Sequence, residues 1–188
     1  MKRARHWLIA LCLLGGLGLL GNGLYIPAKA LLAQHLLNDA WDRTLEGQSQ
    51  ARPWGWADTW PVARLSQDRL GVDQVVLAGA SGRVLAFGPG HVSGSARPGE
   101  SGNVVLSGHR DTHFAWLAGL KDGDQLQLQL ADGRTLQYAV LRTGVHDQGE
   151  SHLLARGAFD GLRLITCYPF DALVPGGPQR YVVDAVML

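Results

Sequence analysis

Reactive side chains follow directly after two apolar segments of the sequence. Residues 104–107 lead into Gly108 and His109, and residues 162–166 lead into Cys167. Apolar runs of this length predict buried strands, and a side chain at a strand end combines a rigid frame with access to solvent. A cysteine thiolate can attack a carbonyl carbon while a histidine protonates the departing amine. His109 and Cys167 are therefore a candidate pair for covalent acyl chemistry.

A Cys–His pair in this setting either needs help from neighbouring groups or works with a small active fraction. At reference pKa values of about 8.5 and 6.5, the doubly charged state is on the order of one per cent of the population at neutral pH. An arginine keeps its charge and can stabilise a thiolate or a developing oxyanion. Arg180 follows a Pro- and Gly-rich turn after Cys167, on the next predicted strand. Alternatives that stay open are Arg163, Arg142 and Arg110 for the cation, and His91 and His113 for the acid and base.

The cysteine count bears on the role of the thiol. The chain has two cysteines, and Cys12 lies inside the N-terminal apolar run. Their predicted locations exclude a disulfide within one chain, because the two Cα atoms would have to lie within about 7 Å. Exported cysteines normally pair, so a lone Cys167 is either a small buried apolar residue or a nucleophile.

The N-terminal region has the pattern of an export segment. Residues 1–6 are basic, and residues 7–26 carry no charge. At about 1.5 Å per residue, such a helix would cross a hydrocarbon core of about 30 Å. The basic flank predicts that the N-terminus stays in the cytoplasm and the body lies outside. A signal peptide cleaved near Ala28-Lys29-Ala30 is the alternative, and it also exports the domain.

Between the export segment and the main domain, the sequence predicts a stalk. Leucine, alanine and tryptophan recur at helical spacing over residues 28–46, with Pro27 suited to a helix start and Gly47 to its end. Residues 47–60 form a linker that contains three tryptophans. The predicted domains are a cytoplasmic tip and transmembrane anchor at 1–27, stalk helix and linker at 28–60, and a catalytic domain at 61–188.

The main domain is predicted to be mainly β. Leucines alternate with glutamines over residues 125–130, and Asp132-Gly133 then leads into the β-rich run 135–142. This pattern is typical of a half-buried hairpin. Many short strands with little helix indicate a small β-barrel or sandwich. Further strands are predicted at 62–65, 75–78, 104–107, 162–167 and 181–186, and a short helix at 112–120.

Several classes of function are excluded. The formal net charge is +1, and the three positive charges that precede the apolar run leave a weakly acidic body, so a nucleic-acid-binding footprint is absent. His109-Arg110-Asp111 resembles a kinase catalytic loop, but Trp116 stands where that loop needs Asn. His109 and His113 lack a third ligand at a spacing suited to zinc. We expect no metal and no cofactor.

The reactive segments resemble motifs of the sortase family. Leu164-Ile165-Thr166-Cys167 resembles the family's TLxTC motif, with Arg163 in place of the leading Thr. Gly108-His109-Arg110-Asp111 resembles the segment with the catalytic histidine, and Arg180-Tyr181-Val182-Val183 resembles the strand with the arginine. The similarity covers residues 61–188. The extensions at residues 112–114 and 168–170 are most similar to sortases of Gram-negative proteobacteria.

The resemblance implies a specific fold and activity. It implies a closed eight-stranded sortase-type β-barrel with short helices, behind the predicted transmembrane and stalk helices. It also implies a cysteine transpeptidase that cleaves an LPXTG-like C-terminal sorting signal, holds the acyl group as a thioester and passes it to an amine. In this reading Cys167 is the nucleophile, His109 the acid and base, and Arg180 the stabiliser of substrate or oxyanion.

The resemblance also implies partners and a location. The substrate would be a secreted protein with a sorting signal, the acceptor an amine, and the site a periplasmic domain held at the inner membrane.

Two other functions remain open. One is an L,D-transpeptidase-like cell-wall enzyme, although the Gly-Cys-Arg motif soon after Ser-His-Gly is missing. The other is a non-catalytic, membrane-tethered binding module with an inert thiol, which would resist alkylation.

Overall fold

The computed structural model describes residues 2–157, 159–172, 174 and 176–188, with only part of the side chains before residue 25. The chain divides into two compact units, residues 1–36 and 37–188. Helix α1 spans Lys2–Leu45, and the short helix α2 spans Gly82–Leu85. Most side chains of the predicted membrane segment, including that of Cys12, are outside the described part of the structure. Within the described part, no helix is both long and apolar enough to cross a bilayer.

Eight strands among the described residues close into a barrel. Around the barrel they follow the order β1-β2-β3-β4-β7-β8-β6-β5. Only β2–β3 and β4–β7 pair in parallel within this barrel. The closed eight-stranded barrel is confirmed. The strands are β1 (Pro61–Gln67), β2 (Val72–Ala78), β3 (Gly90–His91), β4 (Asn103–Ser107), β5 (Gln125–Leu130), β6 (Thr135–Asp147), β7 (Gly161–Tyr168) and β8 (Gln179–Met187).

Alternation along the strands divides the side chains between two faces. Leu106 of β4, Leu164 of β7 and Val183 of β8 are fully buried in the main core inside the barrel. A second cluster lies on the outer face of the same strands, where Val105, Ile165 and Val182 pack around Leu153. Successive residues of a strand point to opposite faces. Every second residue from the outer cluster therefore continues the outer face toward the strand ends.

The last turns of α1 belong to the barrel unit. Leu37 and Trp41, each 1% exposed, pack with Val75, Leu77 and Val84 on the outside of β2. The Trp41 indole N–H donates to the Gln129 side chain at 3.3 Å. Gly47, with φ at +95°, follows the helix end, and its N–H donates to the Thr44 carbonyl. This part of the helix therefore packs on the barrel.

The sequence prediction differs from the structure at several elements. Pro27 lies inside α1 rather than at its start. The φ of proline is compatible with a helix, and the cost of this position is one missing backbone hydrogen bond. The helix predicted at 112–120 is a 3₁₀ turn at Ala115–Gly119. Strand β6 continues past 142 to Asp147. Strand β3 was not predicted, because its two residues give no periodicity.

Candidate active site

The thiol and the arginine face each other at the end of two neighbouring strands. Cys167 of β7 pairs directly with Arg180 of β8, two residues beyond the pair Ile165–Val182. The latter pair points to the outer face, so Cys167 and Arg180 point there as well. Cys167 is a free, half-buried thiol. The predicted pairing of these two residues on adjacent strands is what the structure shows.

The histidine reaches the same level through the parallel pairing of β4 with β7. Ser107 is the register partner of Ile165, and the Gly108 N–H donates to the Ile165 carbonyl at 3.2 Å. Two residues beyond each partner lie His109 and Cys167. Strand β4 ends at Ser107, so His109 lies at the start of the following loop, next to the end of β7, and its side chain is exposed.

Three contacts fix the backbone before and at His109. The Thr166 hydroxyl donates to the Gly108 carbonyl at 2.7 Å, which ties the residue before Cys167 to the residue before His109. The buried Phe114 ring packs against Gly108 so closely that a Cβ there would lie 2.7 Å from it. The Phe114 N–H donates to the His109 carbonyl at 2.9 Å. A threonine before the nucleophile and a glycine before the histidine therefore have direct structural roles.

The guanidinium of Arg180 is held by the two loops that flank it. One terminal nitrogen (Nη1) donates to the carbonyls of Gly177 and Gln179 at 2.7 and 2.8 Å. The other (Nη2) donates to the side-chain oxygen of Gln148 at 2.9 Å. None of the hydrogen bonds described for Arg180 goes to Cys167. The guanidinium therefore lies on the strand next to that of Cys167, and acceptors at residues 148, 177 and 179 set its orientation.

The other candidate arginines have different roles. Arg110 is 4% exposed and donates to the carbonyls of Pro169, Ala172 and Val174 at 2.6, 2.7 and 3.1 Å. It therefore holds the loop between β7 and β8 (residues 169–178, the β7/β8 loop) rather than the thiol.

The two remaining candidate arginines form ion pairs with the buried carboxylate of Asp184. Arg163 donates to one carboxylate oxygen of Asp184 at 2.6 Å, and Arg142 to the other at 2.9 Å. Arg163 also donates to the Leu153 carbonyl at 2.7 Å. It lies four residues before Cys167, about 13 Å along the strand. The structure gives Arg163 and Arg142 structural roles away from the thiol.

The alternative histidines also have partners outside the thiol pair. The His91 ring lies 2.8 Å from the Ala96 carbonyl and 3.0 Å from the Ser95 hydroxyl. Burial lowers the pKa of His113 from its ordinary 6.5, a bond with the Ala86 backbone opposes this, and nearby His109 adds to the lowering. The lowered pKa favours the neutral form of His113. Among the described residues, no group of three or more His, Cys, Asp or Glu is arranged to hold a metal ion.

The segment between β6 and β7 (residues 148–160, the β6/β7 loop) contributes residues that sequence reasoning did not identify. Its 3₁₀ turn, Ser151–Leu154, packs Leu153 on the outer apolar face. Asn103 donates to the Leu153 and Ala155 carbonyls at 2.8 and 3.1 Å. These contacts join residues 50 or more positions apart in the chain, and no local sequence pattern predicts them. Leu153 covers the apolar part of this face, so the accessible part begins near Cys167.

The arrangement is suited to acyl transfer. It provides a half-buried thiol for attack, an exposed imidazole just beyond the end of the adjacent strand, and a permanent cation at the register partner of the thiol residue. A groove of 1080 Å³ elsewhere on the barrel, lined in part by Thr44, His91 and Asp132, contains none of the three residues.

Comparisons with known sequences agree with this geometry. Residues 65–188 match the sequence model of the sortase domain family. Sortase D of Bacillus subtilis (strain 168) is 34% identical over 116 residues, which is 61% of this chain and 58% of that protein. The chain therefore spans less than two thirds of the length of this relative.

Solved structures share the fold. A sortase D5 transpeptidase from Clostridium perfringens superposes with a TM-score of 0.65 over 84% of this chain and 98% of that chain, at 22% identity. This likeness concerns the fold alone. Sortase C-1 from Actinomyces oris has a TM-score of 0.59 and 30% identity, covering 68% of this chain and 72% of that one.

Proposed function

Because this chain belongs to the sortase family, we propose that it is a cysteine transpeptidase with Cys167, His109 and Arg180 as its catalytic residues. Its substrate is a secreted protein that carries an LPXTG-like C-terminal sorting signal. Its acceptor is a primary amine. The observation that supports the proposal is the strand register: Cys167 of β7 is the partner of Arg180 on β8, and β4, which pairs with β7, ends two residues before His109.

The first half of the reaction forms a thioester. The Cys167 thiolate attacks the carbonyl carbon of the threonine in the sorting signal, and a tetrahedral oxyanion forms. The C–N bond then breaks, and His109 gives its proton to the departing glycine amine. The acyl group remains on the sulfur. The Thr166–Gly108 bond holds the two backbones that carry nucleophile and acid at a fixed separation.

The second half of the reaction reverses the roles. The acceptor amine attacks the thioester carbon, His109 takes up the amine's proton, and the C–S bond breaks to return the thiolate. Arg180 stabilises the negative charge on the thiolate or on the oxyanion in each half. Since two carbonyls and one amide oxygen already orient its guanidinium, little reorganisation is needed when this charge develops.

The experiment that tests the proposal detects the thioester directly. The full chain, purified in detergent, is incubated with an LPXTG-type peptide, with and without an added amine, and its intact mass is measured. We expect a mass increase equal to the acyl fragment, lost with hydroxylamine and reduced when the amine is present. Cys167→Ala should form no adduct, whereas Cys12→Ala should form it normally.

Other outcomes point to different functions. If Cys167 forms no adduct with several such peptides and also resists alkylation in the folded protein, the chain is a binding module with an inert thiol. If the thiol reacts with an alkylating agent but not with the peptides, the sorting signal differs from LPXTG. An adduct that persists in Cys167→Ala excludes the mechanism.

The proposed location follows from the N-terminal sequence. Basic residues 1–6 precede the uncharged residues 7–26, a pattern that favours a single anchor with the domain outside the cytoplasm. We expect the chain in the membrane fraction, with the barrel cleaved by protease added to spheroplasts and protected in intact cells. Recovery in the soluble cytoplasmic fraction would exclude this location.

The bacterial class of the source is a separate proposal. A Gram-negative, periplasmic setting at the inner membrane rests on the resemblance of residues 112–114 and 168–170 alone. Sortase D comes from Bacillus subtilis, so the reported relatives give this setting no support. The same thioester chemistry applies in either setting, since only the source of the acceptor amine changes.

A further inference from the structure

One contact joins the catalytic arginine to a loop that has no other role in the reaction. Gln148 is the first residue after β6, and its side-chain oxygen accepts from Nη2 of Arg180 at 2.9 Å. The remaining described acceptors of this guanidinium are backbone carbonyls, those of Gly177 and Gln179. Gln148 is therefore the side-chain acceptor through which substitution can change the orientation of Arg180.

The backbone of Gln148 ties the same two loops together. Its N–H donates to the Pro178 carbonyl at 2.7 Å, so the β6/β7 loop is bonded to the β7/β8 loop directly before Arg180. In the barrel register, His146 is the partner of Arg180 on one side, and Cys167 is its partner on the other. Gln148 thus lies two residues beyond the strand position that flanks the catalytic arginine.

A third set of bonds closes the turn that carries Gln148. The Glu150 carboxylate accepts from the Asp147 N–H at 3.0 Å and lies 3.1 Å from Nδ1 of His146. The turn that carries Gln148 is therefore closed by bonds on both sides. An acceptor on a fixed turn can hold a flexible arginine in one orientation with little cost at the moment of reaction.

We propose that Gln148 is a positioning residue that sets the orientation of the Arg180 guanidinium beside Cys167. The inference rests on the proposed function, because Arg180 must stabilise charge in the reaction for its orientation to matter. Removing the Gln148 side chain should leave the loop connection to Pro178 intact, since that bond uses the backbone. It should leave the charge of Arg180 unchanged and increase only its freedom.

Two readouts on the full chain test the inference. The first is the hydrogen-exchange rate of the Arg180 guanidinium by NMR, with its signal assigned through Arg180→Lys. Gln148→Ala should accelerate this exchange about tenfold. The second is the steady-state rate with an LPXTG-type peptide, where Gln148→Ala should lower kcat about tenfold with little change in KM. Gln125→Ala is the matched control, because Gln125 is an exposed glutamine on β5 outside the hydrogen bonds that hold Arg180, and it should change neither readout.

A charged variant and a double variant sharpen the test. Gln148→Glu keeps an acceptor near Arg180 but adds a negative charge, so kcat should fall more than in Gln148→Ala and recover as the pH is lowered. In an Arg180→Ala background, Gln148→Ala should cause no further loss of kcat. A merely structural glutamine would cause the same loss with or without Arg180.

The outcomes separate this inference from the proposed function. Unchanged Arg180 exchange in Gln148→Ala, or an equal loss of kcat in the Arg180→Ala background, overturns the inference even if the enzyme is an active transpeptidase. Faster exchange in Gln148→Ala with no acylation of Cys167 in the parent chain overturns the proposed function and retains Gln148 as the residue that orients Arg180. Faster exchange together with a kcat loss that needs Arg180 supports both.

Discussion

At the scale of residues, two chemically identical side chains, those of Arg180 and Arg110, have different contacts and different expected roles. Arg180 faces the thiol, with its guanidinium held by loop carbonyls and Gln148. Arg110, one residue after the candidate acid, is buried under the carbonyls of the β7/β8 loop. The pair permits a comparison of a cation that acts on the reaction with a cation that acts on the fold.

We expect Arg180→Ala to reduce kcat by about 10²-fold, the usual cost of losing one oxyanion-stabilising group. The free energy of unfolding should change by less than about 0.5 kcal/mol, because the side chain lies at a partly exposed strand end. Single-turnover peptide cleavage and urea unfolding measure the two quantities. Loss of folding instead would make Arg180 structural and would pass the stabilising role to another group.

Arg110→Ala is the matched control for this prediction. It leaves three carbonyls without their charged donor, so the free energy of unfolding should fall by about 2–3 kcal/mol. If Arg110→Ala retains full stability, the β7/β8 loop has other support, and the contrast between the two arginines fails.

The candidate catalytic side chains could be proposed from sequence because each one ends an apolar run or belongs to a motif with fixed spacing. Their supports could not. Gln148 has no motif, and its bond to Arg180 depends on the loop that returns from β6 to β7. Asn103 and Leu153 likewise meet across a separation of 50 residues. Such contacts come from the tertiary arrangement, which local periodicity does not describe.

At the scale of elements, the β6/β7 loop is the segment that prediction described least. Strand β6 was expected to end at 142, yet it continues to Asp147 past an irregularity between Val140 and Arg142. The irregularity shifts the alternation of inward and outward side chains by one residue. Beyond it, polar and small residues no longer show the two-residue hydrophobic period that predicts a strand. The extended strand is what carries His146 and Gln148 to the catalytic end of the barrel.

The loop's first turn should depend on pH through Glu150. Bonds from the Asp147 N–H and from His146 lower the pKa of Glu150 below its ordinary 4.5. A lowered folded-state pKa means that the carboxylate's contribution is fully present above pH 4.5 and is lost as the pH falls through the lowered value. Glu150→Gln should therefore speed amide exchange at Asp147 near neutral pH, and the difference from the parent chain should vanish in acid.

A carboxylate elsewhere provides the control for Glu150. Glu46, at the end of α1, lies far along the chain from this loop, and Glu46→Gln should leave Asp147 exchange unchanged at every pH. If Glu150→Gln also leaves it unchanged near neutral pH, the turn is held by its backbone alone.

At the scale of the whole molecule, the compact barrel unit begins inside the predicted stalk. The sequence placed the catalytic domain at 61–188, whereas the compact unit spans residues 37–188. Trp41 and Leu37 account for this difference, because both are buried against the outside of β2. The amphipathic pattern of residues 28–46 predicted an apolar face, but periodicity alone does not say which partner covers it.

We expect Trp41→Ala to lower the free energy of unfolding by about 3–5 kcal/mol, the typical cost of removing a fully buried tryptophan. Urea unfolding of the full chain, followed by far-UV circular dichroism, measures the change. Trp56 is 86% exposed, so Trp56→Ala is the control and should shift stability by less than about 0.5 kcal/mol. Equal effects of the two substitutions would mean that α1 adds nothing to the stability of the barrel.

The parallel pairing of β4 with β7 has a consequence for how the protein matures. Strands β5 and β6 lie between them in sequence, so the residues proposed as acid and nucleophile become neighbours only when β4 and β7 pair across this intervening chain. Pairings between such distant segments form slowly, since the intervening chain must first be ordered. Before that step the nascent chain carries an ordinary cysteine without a partner imidazole. Until β4 and β7 pair, the polypeptide is therefore expected to be an inert precursor, and the proposed reactivity depends on that pairing.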